Sequence, residues 1–206
     1  LIYGIDISFA QGNPDWDLAV KSPLVKFVFS RVCFGDNPVD DDGSIFNRNH
    51  DECKRLGIPF GAYCFFLSSE DPVAEAQHFL AQANGRYGQL RPMVDVEEQS
   101  GSAGSVTENI TRLAAFNSEI RRQLGCDPII YTNADTWATR FAGSDAFAGH
   151  TLWVANYPRE PGHFALPDGW RSAQMHQFSN AGVIPGFSTN VDRDVALADS
   201  LAELMR

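Results

Sequence analysis

The chain has 206 residues, with 26 Asp and Glu against 16 Lys and Arg, for a formal net charge of −10. A polyanion would be repelled, so no nucleic acid is expected as a partner. No apolar run approaches the ~20 residues needed to cross a bilayer, so no membrane is expected either. The 44% hydrophobic content, with 15 Phe, can build a substantial core, and the length suits one domain spanning 1–206. The chain opens directly on strand-like Leu1-Ile2-Tyr3-Gly4-Ile5; either a leader has been removed or there never was one. Cys33, Cys53, Cys64 and Cys126 show no Cys-x-x-Cys spacing and no His in ligand register, which argues against zinc. Free thiols and any of the three two-bridge pairings stay open.

In chain order, Ile2 to Ser8 reads as a first strand, with Gly4, Asp6 and Ser8 on one face. A lone Asp in an apolar strand is costly to bury without a partner. Asp15 can cap a short helix, and Val25 to Val32 is a second strand. The acidic run Asp40-Asp41-Asp42-Gly43 lacks the order of a calcium loop and reads as a solvated turn. Ser44 is expected to cap a helix to Leu56, ended by Gly57. Pro59 to Phe66 is the third strand, and Asp71-Pro72 opens a helix with Val73, Ala76, Phe79, Leu80 and Ala83 as its apolar stripe. Leu90 to Glu98 is the fourth strand, followed by a Gly/Ser loop from Gln99 to Ser105. A helix to Leu124, a fifth strand at Pro128 to Thr132 and a short helix from Ala134 to Phe141 come next.

Five strand–helix alternations are the signature of parallel βα units with right-handed crossovers. After Phe141 the rhythm changes. Thr151 to Tyr157, Ala173 to Phe178 and Thr189 to Asp192 read as strands with no helical period between them, and Val195 to Leu204 reads as a last helix. The fold class is therefore α/β, a barrel whose last part has lost its helices. In such barrels the active site lies at the C-terminal ends of the strands. Asp6, Asp95, Glu97 and Asp192 all fall at strand ends. Asp95 and Glu97, two apart, share one face, where mutual repulsion raises the proton affinity of at least one of them. Acids with split pKa values suit general acid chemistry at a sugar bond.

Several ordered segments resemble glycoside hydrolase family 25, the Chalaropsis-type lysozymes. They are Gly4-Ile5-Asp6-Ile7-Ser8 with Gln11-Gly12, Ile58 to Tyr63 with Phe65, Val94-Asp95-Val96-Glu97, Pro128 to Asn133, Leu152 to Tyr157, and Val183 to Gly186 with Asn190-Val191-Asp192. The resemblance implies an irregular, flattened (β/α)5β3 TIM-like barrel in one domain. It implies an N-acetylmuramidase that cuts the β-1,4 bond between N-acetylmuramic acid and N-acetylglucosamine in peptidoglycan. Glu97 corresponds to the general acid/base, Asp95 to the acid assisting the substrate acetamido group, and Asp6 and Asp192 to the other cleft acids. Tyr63 corresponds to a lining aromatic; Phe65, Tyr131, Tyr157 and Gln177 join it as candidate substrate contacts by strand position. Substrate assistance and direct water attack both stay open. No metal or organic cofactor is implied. The partner is cell-wall peptidoglycan, the protein a monomer, and its place extracellular, by secretion or as a phage-released endolysin.

Three places depart from the family pattern: Phe9-Ala10 after the first strand, Cys64 where His is common, and His176-Gln177-Phe178 where Trp-Gln-Tyr is usual. They are expected to thin the sugar-stacking and hydrogen-bonding groups. Cys64 could pair with Cys33 on the adjacent strand. His176 is first read as a structural residue; Trp153 and Trp170 fit either sugar stacking or core. The alternatives are a non-catalytic glycan-binding protein on the same barrel and, less well supported for want of clustered His, a metal-dependent deacetylase.

Overall fold

Five strand–helix units run through the first two thirds of the chain. The computed structural model describes residues 1–35, 43–97, 104–157 and 160–206, so the acidic run at 40–42 and most of the Gly/Ser loop lie outside the described residues. The units are Ile2–Ile7 (β1) with Trp16–Ala19 (α1), Val28–Phe34 (β2) with Ser44–Leu56 (α2), Phe60–Phe65 (β3) with Pro72–Ala83 (α3), Met93–Asp95 (β4) with Val106–Leu124 (α4), and Ile129–Asn133 (β5) with Ala134–Phe141 (α5). Local chemistry sets the helix starts. Asp15 accepts from the Leu18 N–H, and Asp71 from those of Val73 and Ala74, with Pro72 in the first turn. Ser105 and Glu108 cap α4 reciprocally. Asn133 accepts from the Thr136 N–H, turning β5 straight into α5. Helix α2 differs from expectation: it begins after Gly43 in a left-handed conformation, and Ser44 is its first residue rather than its cap. Val73, expected in the buried stripe of α3, is exposed.

Leu152–Ala155 (β6), Met175–Gly182 (β7) and Val191–Ala196 (β8) complete a closed barrel in sequence order. Strands β1 to β7 are parallel neighbours, whereas β8 runs antiparallel to both β7 and β1. The expected terminal helix from Val195 is not there. Val195 and Ala196 pair with Tyr3 and Ile2, and only a 3-10 turn, Ala202–Leu204, follows. Without β8 the barrel would keep two open edges, and closing both outweighs local helix preference.

Strand alternation divides the core in two. One face of each strand packs outward against the helices: Ile5, Ile7, Val28, Val94, Ile130 and Val154 meet Phe46, Phe79, Leu113, Phe116 and Trp137. The other face fills the barrel with Phe27, Phe29, Met93, Ile129, Trp153, Met175 and Ala196. Each large side chain so buried contributes roughly 1.5–3 kcal/mol. Gly4 and Gly61 lie on this inner face because a Cβ at either would run into the rings of Phe27 and Phe29.

Candidate active site

The inward face turns from apolar to acidic at one end of the barrel. Above Met93 stands Asp95, and Glu97 follows just past the end of β4. Asp6 comes from β1, paired in register with Asp192. Because β8 is antiparallel, Asp192 reaches this mouth from the start of its strand, not from the C-terminal end expected. Asp6 and Asp95 are only 6% and 7% exposed, and Glu97 and Asp192 are half-buried.

Burial comes first in raising the proton affinity of all four acids. Asp95 is pushed well above the ordinary carboxylate range by desolvation, then by the charges of Glu97, Asp6 and Asp192, against the opposing pull of Arg31. Asp6 is pushed well up by desolvation and by Asp192. Asp192 rises to about 6, through desolvation and the charge of Glu97. Glu97 is raised by desolvation, against a hydrogen bond with Tyr131 and the charge of Arg31. These acids titrate as a set, so a proton on one governs its neighbours.

A directed hydrogen-bond chain crosses the mouth. The Tyr131 hydroxyl donates to Gln177 Oε1 at 2.8 Å, and Gln177 Nε2 donates to Asp6 Oδ2 at 2.7 Å. Tyr131 also lies against the Glu97 carboxyl. Its single proton is shared between Gln177 and Glu97, and a bond to the ionised carboxylate favours that form of Glu97. Asp95 Oδ1, buried, has no hydrogen-bond partner among the described residues.

A family model described as glycosyl hydrolases family 25 matches residues 5–187. The chain belongs to that family. It is 30% identical over 199 residues to YegX of Escherichia coli K12, covering 94% of this chain and 69% of that one. It is 28% identical over 202 residues to Lysozyme M1 of Streptomyces globisporus, covering 94% and 67%. The crystal structure of the bacterial lysozyme from Streptomyces coelicolor superposes with a TM-score of 0.84 at 27% identity, covering 98% of this chain and 94% of that one. The barrel expected from the sequence is thus the family 25 barrel.

Among the candidate substrate contacts, the family 25 barrel holds Tyr63 and Tyr131 buried on the inner face. Gln177 is 3% exposed and bonded on both sides by protein groups, so it ties Tyr131 to Asp6. Phe65 stacks on Phe34 at 4.6 Å, and Tyr157 is 43% exposed. The expectation that Cys64, His176 and Phe178 thin the sugar contacts is not met. Alternation turns all three away from the cleft. Cys64 belongs to the outer core, its Sγ 3.2 Å from that of Cys33, a contact between thiols rather than a disulfide. His176 is buried: Nδ1 accepts from the Gly162 N–H at 3.0 Å, so the proton on Nε2 points to the Asn156 carbonyl at 2.9 Å. Trp153 is barrel core, edge-on to Phe29 and Tyr131, and Trp170 packs on Trp137 in the outer layer.

Two residues escaped the sequence reading. Arg31 follows Phe27 and Phe29 at the inward parity of β2, its guanidinium 5.1 Å from the Phe9 ring centroid and 5.7 Å from that of Phe34. It is the cation that opposes the raised proton affinity of Asp95 and Glu97. Asp194 is fully buried two residues past Asp192. A count of two along each strand was the available signal, but the last strand was read as ending at Asp192.

Proposed function

We propose that this family 25 chain is a lysozyme that hydrolyses the β-1,4 bond between N-acetylmuramic acid and N-acetylglucosamine, with Glu97 as general acid and base and Asp95 assisting the substrate acetamido group. The observation that carries the reading is the convergence of four acids, each with raised proton affinity, over an apolar barrel floor. Departure of the leaving sugar needs a proton at the glycosidic oxygen, and a carboxyl held neutral by burial supplies it. Glu97 is less buried than Asp95 and Asp6, so a glycan can reach it. The unpartnered Asp95 Oδ1 suits the acetamido N–H. Accepting that hydrogen bond sharpens the carbonyl oxygen as an internal nucleophile at the anomeric carbon. Water, deprotonated by Glu97, then opens the cyclic intermediate, a route that retains configuration. Asp6 and Asp192 complete the negative field that stabilises the developing cation.

Tyr63, Phe65, Tyr131 and Tyr157 frame the sugar sites in this reading, with Gln177 holding the frame. The whole of 1–206 serves as one catalytic domain, a monomer without cofactor, acting on peptidoglycan outside the producing cell or after release as an endolysin. The test incubates purified cell walls with the protein and with Glu97→Gln. Reducing ends should appear only with the former, and borohydride reduction followed by mass spectrometry should find reduced muramic acid. Reduced glucosamine would mean that the other bond is cut, and wall binding without new ends would favour a glycan-binding protein. The anomer first released, read by NMR, should be β; an α product would replace acetamido assistance by direct water attack.

A further inference from the structure

One fully buried acid plays no part in that chemistry. Asp194 sits on the inward face of β8, one step deeper than Asp192, in register with Gly4 on β1 and Gln177 on β7. No solvent reaches it. Its carboxyl lies close to that of Asp6 and to the Trp153 indole N–H from β6, yet among the described residues neither of its oxygens accepts a hydrogen bond, which disfavours a charge there. The other charged or titratable group facing it is Asp192. Gly4 brings no side chain, and Arg193, on the opposite face, lies over the Phe178 ring at 4.8 Å. Among the described residues no cation therefore balances Asp194. Two carboxylates cannot hydrogen-bond to one another unless one carries a proton. Asp6 already accepts from Gln177 Nε2, whose orientation is fixed by Tyr131. The bond to Asp6 Oδ2 favours the ionised form of Asp6, and Asp194, the deeper acid with no donor to it, is the better holder of the shared proton.

We propose that Asp194 is a positioning residue: a neutral carboxylic acid under the site that donates a hydrogen bond to Asp6 and favours the ionised form of Asp6 against the burial that opposes it. Desolvation, with the charges of Asp6 and Asp192, supports this by holding the Asp194 proton well above the carboxylate range. The inference rests on the reading of Asp6 as a member of the catalytic set. Its consequence reaches Glu97. The Glu97 charge raises the proton affinity of Asp6, and since repulsion between two carboxylates is mutual, an ionised Asp6 favours a protonated Glu97. If Asp6 lost its donor and took up a proton, Glu97 would release its own at lower pH.

The experiment compares Asp194→Asn with Asp194→Leu. The amide keeps an N–H donor and the net charge of the proton-sharing pair; Leu keeps bulk but no donor. Asp194→Asn should keep the alkaline limb of the pH–kcat profile where the wild type has it. Asp194→Leu should lose about ten- to a hundredfold in kcat, the scale of one hydrogen bond to a charged group, and its alkaline limb should move to lower pH. A limb displaced equally in both variants would show that Asp194 is ionised, and an unmoved limb in both would show that it does nothing for Asp6; either overturns the proposal. Infrared spectroscopy decides the proton independently of activity and of whether the Leu variant folds. The wild type should show a protonated-carboxyl band at neutral pH that Asp194→Asn lacks, and identical spectra would overturn the proposal. Asp6→Asn separates the two readings: if it stays fully active, the role given to Asp6 in catalysis fails, while the infrared band still decides whether Asp194 holds a proton.

Discussion

The floor and the mouth of the barrel are built from the same strands at the same parity. Inward side chains run Phe27, Phe29, Arg31 along β2, Ile129, Tyr131 along β5, and Ala196, Asp194, Asp192 up β8. Two residues, under 7 Å of strand, separate close-packed rings from ionisable groups. The floor stabilises the barrel and costs the mouth its water. The mouth then carries four acids at raised proton affinity, an arrangement unfavourable for folding and suited to proton transfer. Stability and activity are thus spread over neighbouring layers of one structure, and substitutions should separate them.

The largest expected effect is at the mouth. Glu97→Gln should cost ~10²–10⁴-fold in kcat through loss of the acid and base, with the melting temperature preserved or raised. A fall in both would mean that the layers are not separable. The floor should answer in reverse. Phe29, fully buried and edge-on to Trp153 and Phe27, should cost about 3–5 kcal/mol of stability as Phe29→Ala, read by denaturant unfolding.

Tyr131 spans the two layers, its ring in the floor and its hydroxyl in the mouth. Tyr131→Phe should lower kcat by roughly tenfold. Its hydrogen bond restrains the proton affinity of Glu97, so its loss should move the alkaline limb to higher pH. The smallest effect is on stability. Asp192 binds its proton more tightly in the folded state, with a pKa raised from 3.8 to about 6. Between those values the folded state holds more protons than the unfolded chain, so its contribution to stability falls as pH rises and stays lost above the window. Asp192→Asn should therefore raise the melting temperature by about 2–4 °C at pH 7, equivalent to ~1 kcal/mol, with little gain at pH 4. Equal gains at both values would rule out the charge as the cause.

Much of this was legible beforehand. The strand–helix alternation, the caps at Asp15 and Asp71, and the two-residue spacing of Asp95 and Glu97 depend on neighbours in sequence. The end of the chain was not legible in the same way. Val195 to Leu204 has a helical look, yet Val195 and Ala196 are strand because β1 and β7 offer them partners from distant parts of the chain. Cys64, His176 and Phe178 looked like losses from a sugar cleft until the register turned them outward.

Sequence alone determined which groups this protein has for its chemistry, since carboxyls, their spacing along a strand and the alternation of faces are local properties. Only the tertiary structure decided what those groups are. A carboxyl becomes a proton reservoir through the water excluded around it and the charges brought beside it. Asp6 meets Asp192 and Asp194 from the far end of the chain only because the barrel closes.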